Sequence, residues 1–195
     1  MALEVDLGDG RSLRGLEDAD AEELFALIDA NRAHLALWMP FVGQTRSAVD
    51  SLAFIRAARR QYEENRGMQL ALLQGERIIG VAGFHAIDWT RRSTSIGYWI
   101  AADQQGAGTM TTAVSALLKQ AFAGWKLTRV EIRAGVANAR SRAIPERLGF
   151  REEGVLRSAE RIGTRVIDHV VYVMTARDWQ RRVRQSERAA RRKVG

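Results

Sequence analysis

The chain of 195 residues contains no cysteine. That excludes disulfides, cysteine-based metal sites and a thiol nucleophile, and it fits an intracellular, cytoplasmic protein. Histidine is scarce, and His34, His85 and His169 lie far apart without metal-ligand spacing, so no metal is implied. There are two prolines, Pro40 and Pro145, so few points at which a helix must break. No apolar run approaches the ~20 residues of a membrane-spanning helix, and no membrane partner is expected. The opening MALEVDLGDGR lacks a basic segment followed by an apolar stretch, which argues against a secretory signal. Internal repeats, low-complexity linkers and a Gly-x-Ser-x-Gly nucleophile elbow are absent as well.

What is present suits one compact domain: 46% of the residues are hydrophobic, enough to bury a core. The net charge of +7 is unevenly placed. From Gln180 to Gly195, seven basic residues face the single acid Glu187, which leaves the rest of the chain close to neutral. The expectation is a domain over residues 1–180 followed by a basic tail over 181–195. A basic arm can bind nucleic acid. No aromatic side chains interleave with these arginines, which favours a solvated helix end or a disordered tail.

Periodicity divides the chain into elements. RSLRGL (11–16) reads as a first strand, and Asp18 or Asp20 caps a helix with Leu24, Phe25, Leu27 and Ile28 on its apolar face. Pro40 stops any helix in LALWMPF, and Ser47 caps a second one running to about Asn65. MQLALLQ and RIIGVAGFHAI, joined by Gly-Glu, predict a hairpin, and STSIGYWIA predicts a third strand. After DQQGAG comes a helix closed by Gly124, then the strand TRVEIRAG. A short helix NARSRAIPERL follows with Gly149 as its stop, and FREEGVLR and VIDHVVYVM are strand candidates. The fold class is α/β (α+β), in one domain.

The segment IGYWIAADQQGAGTMTTAV carries the chemistry. A strand enters a glycine-bearing loop that opens a helix, whose first amides lack intrahelical partners and carry partial positive charge. Gly106 and Gly108 let a phosphate approach the backbone, so an anion site is expected at Gly106, Ala107, Gly108, Thr109 and Met110, with a plain tight turn as the competing reading. A P-loop would end Gly-Lys-Ser/Thr, whereas this loop ends Gly-Thr-Met. A dinucleotide fingerprint would carry a third glycine where Thr111 stands.

IGYWIAADQQGAGTMTTAVSALL, followed by NARSRAIPERLGF, resembles the GNAT superfamily of N-acetyltransferases, in particular its RimJ/RimL-like branch. HLALWMPF, GFHAIDW and EEGVLRSAERIGTRVIDHVVYVMTARDW add to the likeness, which spans residues 10 to 180. The resemblance implies a GNAT acyl-CoA N-acyltransferase fold: a mixed, mostly antiparallel central sheet, splayed at the cofactor site and flanked by helices. It implies acetyl-coenzyme A as co-substrate, held by Gln105, the amides from Gly106 to Met110, the backbone near Ile100 and Ala101, and Asn138. Branch members acetylate protein N-termini, ribosomal proteins among them, and relatives acetylate small-molecule amines. Ribosomal contact and homodimerisation are further properties of the branch. One departure is Asp103, three residues before the first glycine, where many relatives have Arg or Gln.

An α-amino group of pKa ~8 is mostly protonated at neutral pH, so attack on a thioester needs a base, a donor for the oxyanion and a proton for the departing thiolate. A backbone N–H near Ile100 suits the oxyanion. The resemblance places the acid at Ser141 and the base at Glu160. On residues alone, Ser141 could merely satisfy backbone groups at a helix start, and Glu160, among Arg157, Arg161 and Arg165, could be a surface ion pair. His85 and His169 are alternative bases. Trp38, Met39 and His85 are the candidate acceptor-binding residues. Pro145 falls inside the helix of Ser141 and is expected to bend it and reorient Ser141. Two other readings stand beside the enzyme: a coenzyme A-binding module without turnover, and an RNA- or ribosome-binding protein driven by its tail.

Overall fold

The computed structural model describes residues 4–194, with side chains described as far as Ala189. The chain opens with β1 (Val5–Gly8) and β2 (Arg11–Gly15), then α1 (Ala21–Ala30), α2 (Arg32–Leu35) and α3 (Ala48–Glu63). Three strands follow: β3 (Met68–Gln74), β4 (Arg77–Phe84) and β5 (Ser93–Ile100). α4 (Thr109–Lys119) passes through a π-type turn into β6 (Arg129–Gly135). α5 (Ala139–Leu148), β7 (Arg151–Ile162), β8 (Arg165–Thr175) and α6 (Ala176–Val194) complete the chain.

The eight strands form one sheet in the order β1-β2-β3-β4-β5-β6-β8-β7, and every pairing is antiparallel except β5 with β6. β3 and β4 read as continuous apolar runs because both sheet faces are covered. Leu70 and Leu72 face the core that includes Met110, Val114 and Leu117 of α4. Ala71 and Leu73 face the opposite cluster with Leu24 and Ile28 of α1 and Ile55 of α3. The period of two thus sends alternate residues to different helices. α3 begins where the sequence predicts, with Ser47 and Asp50 forming a reciprocal capping box.

β5 and β6 pair only through Ser93–Ser95 with Arg129–Glu131. Beyond that point β5 follows β4 and β6 follows β8, so the sheet divides and a wedge opens between its halves. This is the splay expected from the sequence.

Four elements differ from the expected outline; one is α2, a single turn too short to show a helical period. β1 was not anticipated, because four residues carry too little pattern to read. β7 runs on to Ile162, past the predicted FREEGVLR. It is exposed along most of its length and is held by its ladder with β8 rather than by an apolar face. The segment around residue 180 belongs to a continuous helix, α6, tied down where the Trp179 ring lies 5.7 Å from that of Phe122.

Candidate active site

The wedge is lined on one side by the end of β5. The Ala101 amide donates to Ile79 O at 2.9 Å, and alternation along the strand therefore turns the Ile100 amide towards the open side. Ala101 itself is 2% exposed and spends its amide on β4, so of the two positions expected near the thioester, Ile100 is the one that lines the cavity. The chain then turns through Gly106 and Gly108, at φ +88° and +77°. A Cβ at either glycine would meet nothing within 4 Å, so it is the left-handed backbone, not crowding, that asks for glycine. Backbone bonding reaches Gln105 N, which donates to Ala102 O, and resumes where Thr112 N donates to Gly108 O. In between, residues 106–111 line a cavity of about 1120 Å³ with the amide-rich start of α4.

The surrounding side chains fit an anionic occupant. Arg140 Nη1 donates to Gln105 Oε1 at 2.5 Å, and the Gln105 amide nitrogen donates to His34 Nε2 at 2.7 Å. Arg140 and Arg147 both line this cavity. Asp103, whose charge would oppose a diphosphate, is exposed and is not part of the lining.

A second cavity, of about 990 Å³, opens on the other side of the wedge. Trp38, Met39, His85, Glu160 and His169 line it, together with Arg133. The His85 ring packs against β5 at Gly97, where a Cβ would stand 2.3 Å from its Nε2. Burial, and then the charge of Arg133, lower the His85 pKa below the ordinary imidazole value, so the ring is neutral at pH 7.

Glu160 reaches this cavity through a bulge. Leu156 pairs with His169 and Glu160 with Ile167, so residues 157–159 of β7 all lie opposite Asp168. Asp168 holds the excess chain: it accepts from Ser158 N at 2.8 Å and from Arg157 Nη1 at 2.6 Å. Arg165 is also engaged elsewhere, donating to the Leu37 carbonyl at 2.9 Å. The expected ion pair of Glu160 with a neighbouring arginine is therefore not what the fold builds. The partner of Glu160 is His169, with Nε2 3.5 Å from Oε2.

The two cavities share a wall made of Trp38, Met39, Tyr98, Trp99, Asn138 and Ser141. Ser141 occupies the first turn of α5. Asn138 caps that helix, its Oδ1 accepting from Ser141 N at 3.2 Å. The Tyr98 hydroxyl donates to the Ser141 carbonyl at 3.0 Å, and Ser141 Oγ lies 3.4 Å from the same hydroxyl. Pro145 lies inside α5 without ending it, and the hydrogen bond on the Ser141 carbonyl comes from the Tyr98 hydroxyl.

Ser141 and Glu160 thus line the same cavity although they come from different elements, α5 and β7. Sequence reasoning left His169 as a bare alternative and passed over Tyr98. Neither carries a local signal, since each becomes informative only through the strand or helix beside it. Among the described residues, no group of three or more His, Asp or Glu side chains could hold a metal ion, and no helix is long and apolar enough to cross a membrane.

A family model described as an acetyltransferase (GNAT) domain matches residues 12–151. The chain is similar to YdaF of Bacillus subtilis (strain 168), provisionally named a ribosomal N-acetyltransferase: 37% identity over 171 residues, covering 87% of this chain and 93% of that protein. It is similar at 24% identity over 160 residues to the ribosomal-protein-serine acetyltransferase of Escherichia coli (strain K12), over 82% of this chain and 89% of that protein. Among solved structures, the microcin C7 self-immunity acetyltransferase MccE, in complex with acetyl-CoA and AMP, matches with a TM-score of 0.83 and 29% identity. That match covers 88% of this chain and 95% of the other.

Proposed function

The chain belongs to the GNAT acetyltransferase family, and from that premise we propose that it moves acetyl from acetyl-coenzyme A to the N-terminal α-amino group of a protein, a ribosomal protein in particular. The enzyme is an acetyl-CoA-dependent N-acetyltransferase. The observation that carries the acceptor-side reading is the shared wall: an amide-lined cavity on one side, a cavity with a carboxylate on the other, and Ser141 between them.

In this reading the amides from Gly106 to Met110, with Gln105 and Arg140 beside them, hold the coenzyme's diphosphate. The thioester lies along the open edge of β5. Glu160, in contact with His169, takes a proton from the acceptor ammonium, and the free amine attacks the acetyl carbonyl carbon. The Ile100 amide donates to the oxygen that becomes negative. As the tetrahedral intermediate collapses, the C–S bond breaks, Ser141 Oγ–H gives its proton to the departing sulfur, and the proton that the acetylated nitrogen still has to lose returns to the serine oxygen. The products are the acetamide and coenzyme A. Trp38 and Met39, at the junction, guide the acceptor's end to the thioester.

A small-molecule amine is the competing acceptor, favoured by the likeness to the MccE structure, which holds AMP together with acetyl-CoA. One screen separates the two: release of free coenzyme A thiol with peptides of different N-terminal residues against a set of small amines. Turnover confined to peptides supports the proposal, and turnover confined to small amines overturns it. Glu160→Gln is expected to lower kcat by about 10²–10³ with little change in KM for acetyl-coenzyme A. Unchanged rates for both Glu160→Gln and Ser141→Ala would overturn the assignment of base and acid, whereas no turnover with any amine would return the chain to the reading of a coenzyme A-binding module. Ribosome contact and dimerisation are carried here as proposals of the same reading, tested by co-sedimentation and by light scattering.

A further inference from the structure

Tyr98 is a deeply placed hydroxyl that the transfer steps above do not use. It lies on β5, in the wall between the cavities, and donates to the Ser141 carbonyl at 3.0 Å. In an uninterrupted helix that carbonyl accepts from the amide four residues further on. Here that residue is Pro145, which has no N–H to give. The phenol supplies the hydrogen bond that the helix lacks.

We infer that Tyr98 is a positioning residue for acetyl transfer: its hydroxyl replaces the amide removed by Pro145 and so fixes Ser141 against the wall between acceptor and coenzyme. The inference rests on Ser141 acting as the acid proposed above. Two directed contacts then hold the Ser141 main chain, Asn138 Oδ1 on its amide and Tyr98 on its carbonyl, while Ser141 Oγ rests 3.4 Å from the phenol oxygen. The outer part of α5 is held independently. Arg142 Nε donates to the Tyr172 hydroxyl at 2.8 Å, and that hydroxyl donates to Glu146 Oε1 at 2.6 Å. Loss of the Tyr98 hydroxyl therefore loosens the Ser141 turn without undocking the helix. Burial above all raises the Tyr98 pKa beyond the ordinary phenol range, so the group keeps its proton and serves as a donor throughout the working pH range.

The test is a double-mutant cycle of Tyr98→Phe and Pro145→Ala, read in kcat, KM and the pH profile. Tyr98→Phe is expected to lower kcat about tenfold, the worth of one well-placed hydrogen bond, with KM for acetyl-coenzyme A changed by less than about twofold. Pro145→Ala returns an amide donor to the Ser141 carbonyl. In that background the same Tyr98→Phe change should cost less than about threefold. Equal losses in both backgrounds, or an effect confined to KM, overturn the inference. Disappearance of the alkaline limb in Tyr98→Phe also overturns it, because Tyr98 would then itself be the proton donor. If Ser141→Ala leaves kcat unchanged, the acid assignment fails separately. The cycle is then scored on melting temperature, where Tyr98→Phe must destabilise the parent chain more than the P145A background for the hydrogen-bond replacement to stand.

Discussion

A histidine in a substrate cavity is useful as a neutral ring only if its surroundings disfavour the imidazolium. His85 meets that condition through burial first and Arg133 second, and Gly97 leaves room for its ring. The linkage to stability follows directly. The folded-state pKa lies below the unfolded value of ~6.5, so the unfolded chain binds more protons as the pH falls through that value. The native state is then at its full advantage above ~6.5 and loses part of it on the acid side. His85→Gln is expected to flatten the decline of melting temperature between about pH 7 and 5 while leaving the value at pH 8 within a few degrees. An unchanged acid slope would mean that His85 is not held in its neutral form. The role proposed for Glu160 sets the complementary requirement: a base must not be neutralised beforehand, and Asp168 and the Leu37 carbonyl occupy Arg157 and Arg165 instead.

At the scale of elements, two irregularities place the chemistry. The first is the turn between β5 and α4. With Gly108 at φ +77°, a Cβ has space but not a comfortable backbone, so Gly108→Ala is expected to cost about 1 kcal/mol of stability. Because that residue starts the amide cradle, KM for acetyl-coenzyme A should rise severalfold, with kcat at saturation close to the parent value. A fall in kcat alone would separate the turn from coenzyme binding. The second irregularity is the β7 bulge. Asp168 touches neither cavity, yet its two hydrogen bonds hold residues 157 and 158 out of register and thereby aim Glu160 inward. The Ser158 amide, and then Arg157, hold the Asp168 carboxyl below the usual carboxylate range, as expected for a strongly used acceptor. Asp168→Ala should lower kcat about tenfold or more by misplacing the proposed base Glu160, and steady-state rates at saturating acetyl-coenzyme A would show it.

For the whole molecule, the site exists because the sheet is joined at its centre by three residue pairs and diverges beyond them. In the proposed mode, coenzyme bound across that gap would contact both halves and the start of α4 and would stabilise the native state alone. At acetyl-coenzyme A about 100-fold above its Kd, the gain is about 2.7 kcal/mol, which for a chain of this size raises the melting temperature by about 5–10 °C. A scan of melting temperature against coenzyme concentration checks this, and a flat response at millimolar coenzyme would remove it from the gap. The charge distribution belongs to the same scale. Arg181, Arg184 and Arg188 are exposed along α6, whereas Trp179 of the same helix packs on the core. One element thus serves both the folded body and a basic surface.

Much of this protein was written in its sequence alone. Runs such as MQLALLQ and RIIGVAGF specify buried strands as short apolar stretches bounded by turn residues, and Ser47 marks a helix start by the groups it can bond. The strand–glycine loop–helix order marks an anion site because it depends on neighbouring residues only. Short-range chemistry is legible for that reason. The tertiary structure alone decided which of the arginines and histidines around Glu160 would meet it, since pairing across β7 and β8 depends on a bulge that Asp168 holds. It likewise decided that Tyr98, 43 positions before Ser141, would complete the hydrogen bonding that Pro145 leaves open. Both outcomes turn on which strands lie side by side, and contacts between residues distant in sequence leave no periodicity in either segment to read.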